Sequence, residues 1–479
     1  MGEVRFTKSQ RGKDKLVLHG YMYVHHRDLK SGESEWRCDK RRSDSCNATV
    51  TLAEDRQTVV KEREHPNHQA DWGRVKAKET VEQMRDDAQG SRETTASIVQ
   101  RHVASTSREA AVKLPNKASL ARAVRRVKRS SLPEDPKDIE DLVVIAEQYQ
   151  KLDGQRWLLF FDPDAEDKMI VLATNRHLRY LAKATYWIMD GTFKSAPGVF
   201  YQLYTLHGQV HGQWFPLVMV LMVKKSKDMY IELFELLKHE VSTRLHKRLD
   251  PEYVSTDYEE GAIRAIQHVF PDAQIAGCLF HLGQSFWRKL QNAGLAVEYR
   301  EENNEDMRTS FHSLIAVAFC HLDDVKAVFD ELRREAPAAL RPVFKHVDEV
   351  YIRGCRRGRG RRTPVFPPEW WNCHARALGD LPRTTNSVEA WHRRLNTIMG
   401  KSHPTLYFAL DQLQMEAKEM ERDIERLSSG RSPEKKKKNQ YVIIDQRISR
   451  IMERYQDYKE EDNMLEFLRA IGHNIAGNL

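Results

Sequence analysis

Two cysteines and two histidines have the residue types and spacing of a zinc site. Cys38 and Cys46 are eight residues apart, and His65 and His68 follow in the same short segment. Two thiolates and two imidazoles satisfy a tetrahedral zinc ion. Two buried cysteines and two surface histidines are the alternative, but no other role explains all four together. We predict a structural zinc ion whose binding supplies folding energy to a small module.

Three acidic residues could form a second metal site. Asp190 and Asp257 each follow a short apolar run typical of a strand, and Glu389 lies on a predicted helix over residues 386–399. If the two strands are neighbours, the aspartates converge at one sheet edge, and the helix could close the site. Oxygen-only ligands select Mg²⁺ or Mn²⁺, and two such ions can promote phosphodiester cleavage. Taken alone, a strand-end aspartate is more often a turn or helix-capping residue.

The elements that must position these acids alternate between strands and helices. The pattern predicts helices over residues 228–242 and 261–270. Together, the elements predict an α/β domain with a mixed sheet. Apolar runs predict strands over residues 157–161, 169–173, 186–189, 201–210, 214–223, 253–256 and 275–279.

The regions on either side of this domain have different patterns. Residues 16–24 are predicted to form one strand of a small β-rich module. Residues 73–130 are predicted to be helical, with a break near residue 115. The tail is predicted to be helical over residues 406–427 and 441–470.

Composition excludes several classes of protein. The chain has 479 residues, of which 40% are hydrophobic, so it can build real cores and is not a disordered chain. Its longest apolar run, residues 214–223, is far shorter than the roughly 20 residues of a spanning helix, so we expect no membrane segment. The N-terminus is polar and basic, so we expect no secretory signal. Six cysteines in such a chain are expected to be thiols or metal ligands rather than a disulfide framework.

The zinc module resembles a known family. The segments 21–24 (YMYV), 36–38 (WRC), 46–50 (CNATV) and 64–68 (EHPNH) resemble a FLYWCH-type zinc finger. In that family the two histidines are usually separated by one residue, whereas two residues intervene here. The resemblance implies DNA binding through a sheet face. The nearby basic residues fit phosphate contacts; they are Lys40, Arg41, Arg42, Lys61 and Arg63.

The residues around the three acids resemble the Mutator-like element (MULE) transposases. The resemblance implies an RNase H-like fold, with Asp190 after its first strand, Asp257 after its fourth and Glu389 on a late helix. It also implies an all-helical insertion between the second aspartate and the glutamate. The ordered motifs that carry the resemblance are 190–194 (DGTFK), 202–204 (QLY), 215–216 (FP), 256–259 (TDYE), 277–281 (GCLFH) and 384–392 (TTNSVEAWH).

Cys278 and His281 form the C-x-x-H motif of that family. One interpretation is a metal-binding or DNA-positioning element beside the acids. The other is a buried cysteine followed by a helix-capping histidine. The sequence leaves both interpretations open.

The complete fold prediction is an α/β RNase H-like catalytic core interrupted by an all-helical insertion, with a β-rich zinc module in front and a helical linker and tail. The predicted domains are a FLYWCH-type finger (5–70), a basic helical DNA-binding or linker region (73–135), the first part of the core (150–290), the insertion (291–382), the final core helix (383–402) and a helical C-terminal region (403–479).

Basic residues are concentrated in three further stretches. Arg122, Arg125 and Arg126 lie in a helix after a Pro-Asn break, which indicates a helix-turn-helix-like DNA contact or a solvated linker. Lysines 435–438 indicate a nuclear import signal or a phosphate-binding tail. The third stretch indicates phosphate contacts beside base-stacking tryptophans, or a surface loop with packed tryptophans; its predicted DNA-binding residues are Arg356, Arg357, Arg359 and Arg361.

These observations predict a DNA transposase that cuts and rejoins strands with two Mg²⁺ or Mn²⁺ ions held by Asp190, Asp257 and Glu389. Its expected partners are double-stranded DNA, as element ends and target, and further copies of itself in a dimer or larger assembly. We expect it in the nucleus. The alternative is a domesticated descendant, a nuclear DNA-binding regulator without transposition activity.

Overall fold

The structure, a computed structural model, describes residues 3–9, 12–89, 91, 93–130, 132–358, 360–379, 381–431 and 439–476. The chain divides into two compact units, Met1–Glu134 and Asp135–Leu479. No helix in these ranges combines the length and the apolar character needed to cross a membrane.

The first unit begins with an antiparallel sheet in which each strand pairs with the next along the chain. Its core contains Tyr23 and Trp36, together with both predicted zinc-binding cysteines. The strands are β1 (Arg5–Lys8), β2 (Asp14–Leu18), β3 (Tyr21–Asp28), β4 (Ser34–Cys38), β5 (Thr49–Leu52) and β6 (Val59–Glu62).

The predicted single strand over residues 16–24 is wrong, because the chain reverses at His19 and Gly20. Both residues have positive φ, 51° and 80°. This left-handed pair makes the two-residue turn that suits the twist of a hairpin. Tyr21 therefore pairs with Leu18 on the adjacent antiparallel strand.

The remainder of the first unit is helical, as predicted. The helices pack around Met84, Ile98, Leu120 and Val124. They are α1 (Trp72–Ala88), α2 (Thr95–Ser105), α3 (Arg108–Ala111) and α4 (Lys117–Ser130).

The second unit is built on a mixed seven-stranded sheet, in the order β15-β14-β11-β12-β13-β10-β9. Strand β11 pairs antiparallel with β12 and parallel with β14, and β14 pairs parallel with β15. The predicted mixed α/β sheet is therefore confirmed. The strands of this unit are β7 (Lys151–Leu152), β8 (Gln155–Arg156), β9 (Leu158–Phe161), β10 (Met169–Leu172), β11 (Tyr186–Thr192), β12 (Gln202–Val210), β13 (Gln213–Met222), β14 (Tyr253–Thr256), β15 (Gln274–Gly277), β16 (Arg356–Arg357) and β17 (Gly360–Arg361).

The helices of the second unit cover the sheet and build a separate helical layer. They are α5 (Asn175–Leu181), α6 (Lys227–Leu245), α7 (Glu260–Val269), α8 (Leu279–Asn292), α9 (Ala296–Arg300), α10 (Glu305–Ala316), α11 (Val325–Glu335), α12 (Arg341–Val347), α13 (Pro368–Trp371), α14 (His374–Leu378), α15 (Asn386–Met399), α16 (Leu406–Ser428), α17 (Asn439–Glu453), α18 (Tyr455–Glu460) and α19 (Met464–Ile475).

The two faces of the sheet carry different helices. Trp187 and Met189 of β11 belong to a core that also contains residues of α6, α7 and α16. The alternate residues Tyr186 and Ile188 pack instead with Val388 of α15. Because side chains alternate across a strand, α15 lies on the opposite face from α6 and α7.

The helical layer has its own core, which joins the insertion to the end of the chain. Helices α8, α10, α11 and α12 contribute to it, and Ile448, Phe467 and Ile471 of the tail are part of the same cluster. The expectation that the insertion is entirely helical is wrong. Strands β16 and β17 form a two-stranded antiparallel pair within it, because this arginine- and glycine-rich stretch lacks the apolar periodicity of a packed helix.

Candidate functional sites

The four predicted zinc ligands come together in the first unit. The ligand atoms of Cys38, Cys46, His65 and His68 all lie within 4.8 Å of one another. Cys38 Sγ is 3.3 Å from His68 Nε2, and Cys46 Sγ is 3.3 Å from His65 Nδ1. Both cysteines are buried. This is the donor set and the close grouping of a tetrahedral zinc centre.

The second nitrogen of each histidine has a partner of its own. His65 turns Nδ1 towards the cluster, and its Nε2 lies 2.7 Å from the Tyr23 hydroxyl. His68 does the reverse: its Nε2 faces the cluster, and its Nδ1 lies 3.2 Å from the Gln69 carbonyl oxygen. Tyr21 stacks on the His65 ring at 3.6 Å. Such outer contacts fix the orientation of metal-binding histidines.

Burial shifts the pKa of two residues of this cluster. It raises the pKa of Cys38 to about 12 and lowers that of His65 to about 4. The imidazole is therefore neutral, as a zinc ligand must be, and the thiol needs a cation to release its proton. The site fits a structural zinc ion.

Asp190 and Asp257 lie side by side at one edge of the mixed sheet. The parallel register aligns Ile188 with Ser255, and each aspartate follows its aligned residue by two positions. The two residues therefore lie at the same level of the sheet, and the charge of Asp190 acts on the Asp257 carboxyl. One detail differs from the sequence expectation: β11 continues to Thr192, so Asp190 is inside the strand rather than after it.

Helix α15, which carries Glu389, contacts this edge of the sheet through His392. His392 is one turn further along the helix, and its Nδ1 lies 3.2 Å from Asp190 Oδ2. Residues three apart on a helix have Cβ atoms about 5–6 Å apart. Glu389 is thus on the helical turn that contacts Asp190.

His392 belongs to a buried polar chain that the sequence reasoning missed. Its Nε2 lies 3.2 Å from Thr205 Oγ1, and Thr205 Oγ1 lies 3.0 Å from His207 Nε2. Burial lowers the pKa of His207 well below its usual range, so this ring is neutral. The Thr205 hydroxyl also donates to the Asp190 carbonyl oxygen at 3.3 Å, so the chain contacts Asp190 through both its backbone and its side chain. The available signal was the spacing of Glu389 and His392 on one helix face.

Cys278 and His281 group with Glu389 rather than standing apart from the acids. Ligand atoms of the three residues lie within 4.8 Å of one another, and His281 Nε2 is 3.9 Å from Glu389 Oε1. Cys278 is buried at the start of α8 and lies 3.3 Å from the Thr385 hydroxyl. Thr385 in turn donates to Glu389 Oε1 at 3.4 Å. The motif therefore contacts Glu389 in two ways, directly through His281 and indirectly through Cys278 and Thr385.

The charges of these residues act on one another. Burial, and then the charge of Asp190, raise the pKa of the Asp257 carboxyl, whereas His281 acts in the opposite direction. Burial alone would lower the pKa of His281, but Cys278, Asp190 and Asp257 outweigh it and raise the value to about 9. Two neighbouring carboxylates repel each other when both are charged, and a divalent cation bound between them offsets this repulsion.

Glu259 is a further acid that the sequence reasoning did not single out. It follows Asp257 by two residues and accepts a hydrogen bond of 2.8 Å from the Tyr230 hydroxyl. Tyr230 is positioned by Gln202, whose amide donates to it at 2.7 Å. Burial raises the pKa of Glu259, and the charge of Asp257 adds to this effect.

The predicted DNA-binding residues of the first unit lie at its surface. Arg41 and Arg42 are exposed, and Lys40 is half-buried with its ammonium 3.1 Å from Asp44. On α4, the three predicted contacts are exposed, whereas Leu120 and Val124 on the other side are buried. These exposed contacts are Arg122, Arg125 and Arg126.

The arginine-rich stretch of the second unit is described only in part. Arg356 is exposed at the start of β16, whereas Arg359 and lysines 435–438 lie outside the described residues. The side chains of Arg357 and Arg361 lie outside them as well. Trp371 does not offer its face to a base, because it is buried and its indole N–H donates to the carbonyl oxygens of Tyr351 and Phe366 at 3.1 Å.

Two family models match the chain. The FLYWCH zinc finger domain matches residues 6–68, which include all four zinc ligands. The MULE transposase domain matches residues 186–285, which include Asp190, Asp257 and the C-x-x-H motif but end before Glu389. No curated protein matches the chain.

These matches suggest a transposase-related function and DNA binding. The chain carries a MULE transposase domain behind an N-terminal FLYWCH zinc finger, and the resemblance drawn from its motifs is confirmed.

Proposed function

We propose that this protein is a DNA transposase that binds the ends of its own element and catalyses metal-dependent strand cleavage and strand transfer. The MULE domain match supports the class of activity. One structural observation carries the catalytic assignment: His392, one turn from Glu389, contacts Asp190 at 3.2 Å. That contact places α15, which carries Glu389, against β11, which carries Asp190. Asp257 follows the neighbouring strand β14 at the same level of the sheet.

The sheet topology supports an RNase H-like core. Strands β11, β12 and β13 form an antiparallel meander, and β14 and β15 follow on the other side of β11, parallel to it. Counted within these five strands, Asp190 is on the first, Asp257 follows the fourth, and Glu389 is on a later helix. The MULE resemblance implies this same arrangement.

The residue types present fit a divalent cation site. Among the described residues, Glu389 forms a group of ligand atoms within 4.8 Å of one another with Cys278 and His281, and the three acids do not form such a group by themselves. Asp190, Asp257 and Glu389 offer only oxygen ligands, and burial together with the charge of Asp190 raises the pKa of Asp257. Mg²⁺ or Mn²⁺ held there would offset the negative charge that develops on the phosphate oxygens. His392 orients Asp190, and Thr385 orients Glu389. The nucleophile is water or a 3′-hydroxyl, so no side chain forms a covalent bond with DNA.

The decisive experiment is a cleavage assay on a plasmid that carries the DNA flanking the gene. The full chain, loaded with zinc, should cut this plasmid with Mg²⁺ or Mn²⁺ and without nucleotide. Asp190→Asn should bind the same DNA but not cut it. Asp167→Asn is a matched control, because Asp167 pairs with Lys224 at the surface. Cleavage in excess chelator, or by Asp190→Asn, would contradict the metal mechanism.

The FLYWCH match favours a second candidate, a domesticated nuclear regulator that binds DNA without transposition. The presence of all three acids favours the enzyme. In the same assay, tight binding to the flanking DNA without any metal-dependent cleavage would identify the regulator. For the enzyme, synapsis of two element ends implies a dimer or larger assembly. A nuclear location fits either function.

A further inference from the structure

Two neighbouring aromatic side chains are exposed beside the acidic site. Phe193 and Tyr201 are 44% and 46% exposed, and in the described part of the second unit they are the aromatic members among the exposed large hydrophobic residues. Their ring centroids are 5.2 Å apart with planes at 80°. Aromatic rings contribute most to stability when they are buried, so an exposed pair indicates a binding surface.

The loop over residues 193–201 holds these rings in fixed positions. The Ser195 hydroxyl donates to the Asn396 side chain at 2.8 Å. The Gly198 N–H donates to the Pro404 carbonyl oxygen at 3.3 Å. Several residues between the two rings are buried. The aromatic faces are therefore presented by an anchored segment.

A lysine completes the surface and links it to the acids. Lys225 Nζ lies 5.7 Å from the centroid of Phe193 and 5.9 Å from that of Tyr201. The charge of Lys225 also acts on the Asp257 carboxyl, and Phe193 follows Asp190 by only three residues. Two π-faces and a cation thus border the acidic site, where a nucleic acid strand would present a base and a phosphate.

We propose that Phe193, Tyr201 and Lys225 form a nucleobase-stacking site that holds one unpaired base of the DNA strand next to the phosphate undergoing cleavage. This proposal rests on the proposed function, which supplies the strand. The base must be unpaired, because bases within a duplex already stack on each other and hide their faces. Stacking on an aromatic side chain strengthens binding roughly tenfold per base and tolerates any sequence.

The test compares two short duplexes that share the same strand, which contains one 2-aminopurine nucleotide. In one duplex a thymine in the opposite strand pairs with the 2-aminopurine, and in the other that thymine is missing, so the 2-aminopurine forms a bulge. The full chain carries Asp190→Asn, so that cleavage does not interfere. We expect roughly tenfold tighter binding of the bulged duplex and quenched 2-aminopurine fluorescence. Using the ratio of the two affinities cancels the contribution of the zinc finger, which meets paired DNA in both duplexes.

The matched variants separate stacking from loss of apolar surface. Phe193→Leu with Tyr201→Leu should abolish both the preference and the quenching. Tyr201→Phe should keep them, since the ring remains. Val297→Ala, at a position 74% exposed on α9, should also keep them. All variants should retain the parent melting temperature, because the altered side chains are exposed.

Undiminished preference in the double leucine variant would overturn the stacking site. If that variant kept its preference but lost self-association in sedimentation, the rings would instead be a contact between copies. Neither result touches the proposed function, which the metal-dependent cleavage assay tests separately with the unaltered acids.

Discussion

The zinc cluster and the acidic site differ in how far apart their ligands lie in the chain. The cluster draws Cys38 and His68 from the same small sheet module. The acidic site instead needs Asp190 from one strand, Asp257 from its parallel neighbour and Glu389 from a helix 132 residues further on. A site of the first kind depends on its metal for folding, whereas a site of the second kind is positioned by a large core that folds around it.

Removing the third acid tests the distributed site most strongly. Glu389→Gln keeps the shape of the side chain but removes its charge, so we expect the cleavage rate to fall by roughly a thousandfold. Glu419→Gln, at an exposed position on α16, should leave the rate unchanged. Equal rates for wild type and Glu389→Gln would remove α15 from the active site.

Removing a zinc ligand tests the local site. Cys38→Ser replaces a buried thiolate ligand, so we expect the zinc content to fall from about one ion per chain to none. Hydrogen exchange should accelerate in residues 12–70 but not in the second unit. Cys355→Ser changes an exposed cysteine and should keep the zinc. A normal zinc content in Cys38→Ser would refute the ligand assignment.

Disrupting the buried polar chain of His207, Thr205 and His392 should have a smaller effect on cleavage. His392→Ala leaves Asp190 without its orienting partner, and loss of such outer contacts typically lowers metal affinity or activity roughly 10–100-fold. His392→Asn retains an N–H near the position of Nδ1 and should recover part of the loss. The readout is the Mn²⁺ concentration that gives half-maximal cleavage. If the alanine and asparagine variants were equally impaired, simple loss of packing would explain the result.

The smallest effects belong to single phosphate contacts on α4. Arg125→Ala and Arg126→Ala should each weaken DNA binding uniformly across sequences and reduce the salt slope by about one. Arg264→Ala, an exposed arginine paired with Glu260 at 2.7 Å, is the control in the second unit. An unchanged slope would identify α4 as a solvated linker.

The zinc ligands were predictable because their chemistry is carried by residue type and spacing within one module. The hairpin that supports them was not. Residues 16–24 have apolar side chains on both sides of His19 and Gly20, so the run reads as one strand. Only the left-handed backbone at those two residues reveals the turn, and a single glycine was its weak signal.

The elements that carry the three acids were predictable from the sequence, whereas the buried contacts around them were not. Apolar runs placed Asp190 and Asp257 at the ends of two strands, and the helix Asn386–Met399 has the predicted bounds. The partner of His392 could not be read from sequence, because Thr205 is brought to it by strand pairing and helix docking, 187 residues away in the chain. Such long-range contacts leave no local pattern.

The sharing of one core by the insertion and the chain's last helices affects how the protein must be made. Gly472 on α19 packs so close to α10 that an added Cβ would come within 3.1 Å of the backbone of His312. During synthesis, the insertion leaves the ribosome well before α19 does. The apolar groove that α19 fills in the insertion is therefore exposed to solvent until α19 has been made. A translation product that stops after α16 would expose that groove and become a target for chaperones and proteases.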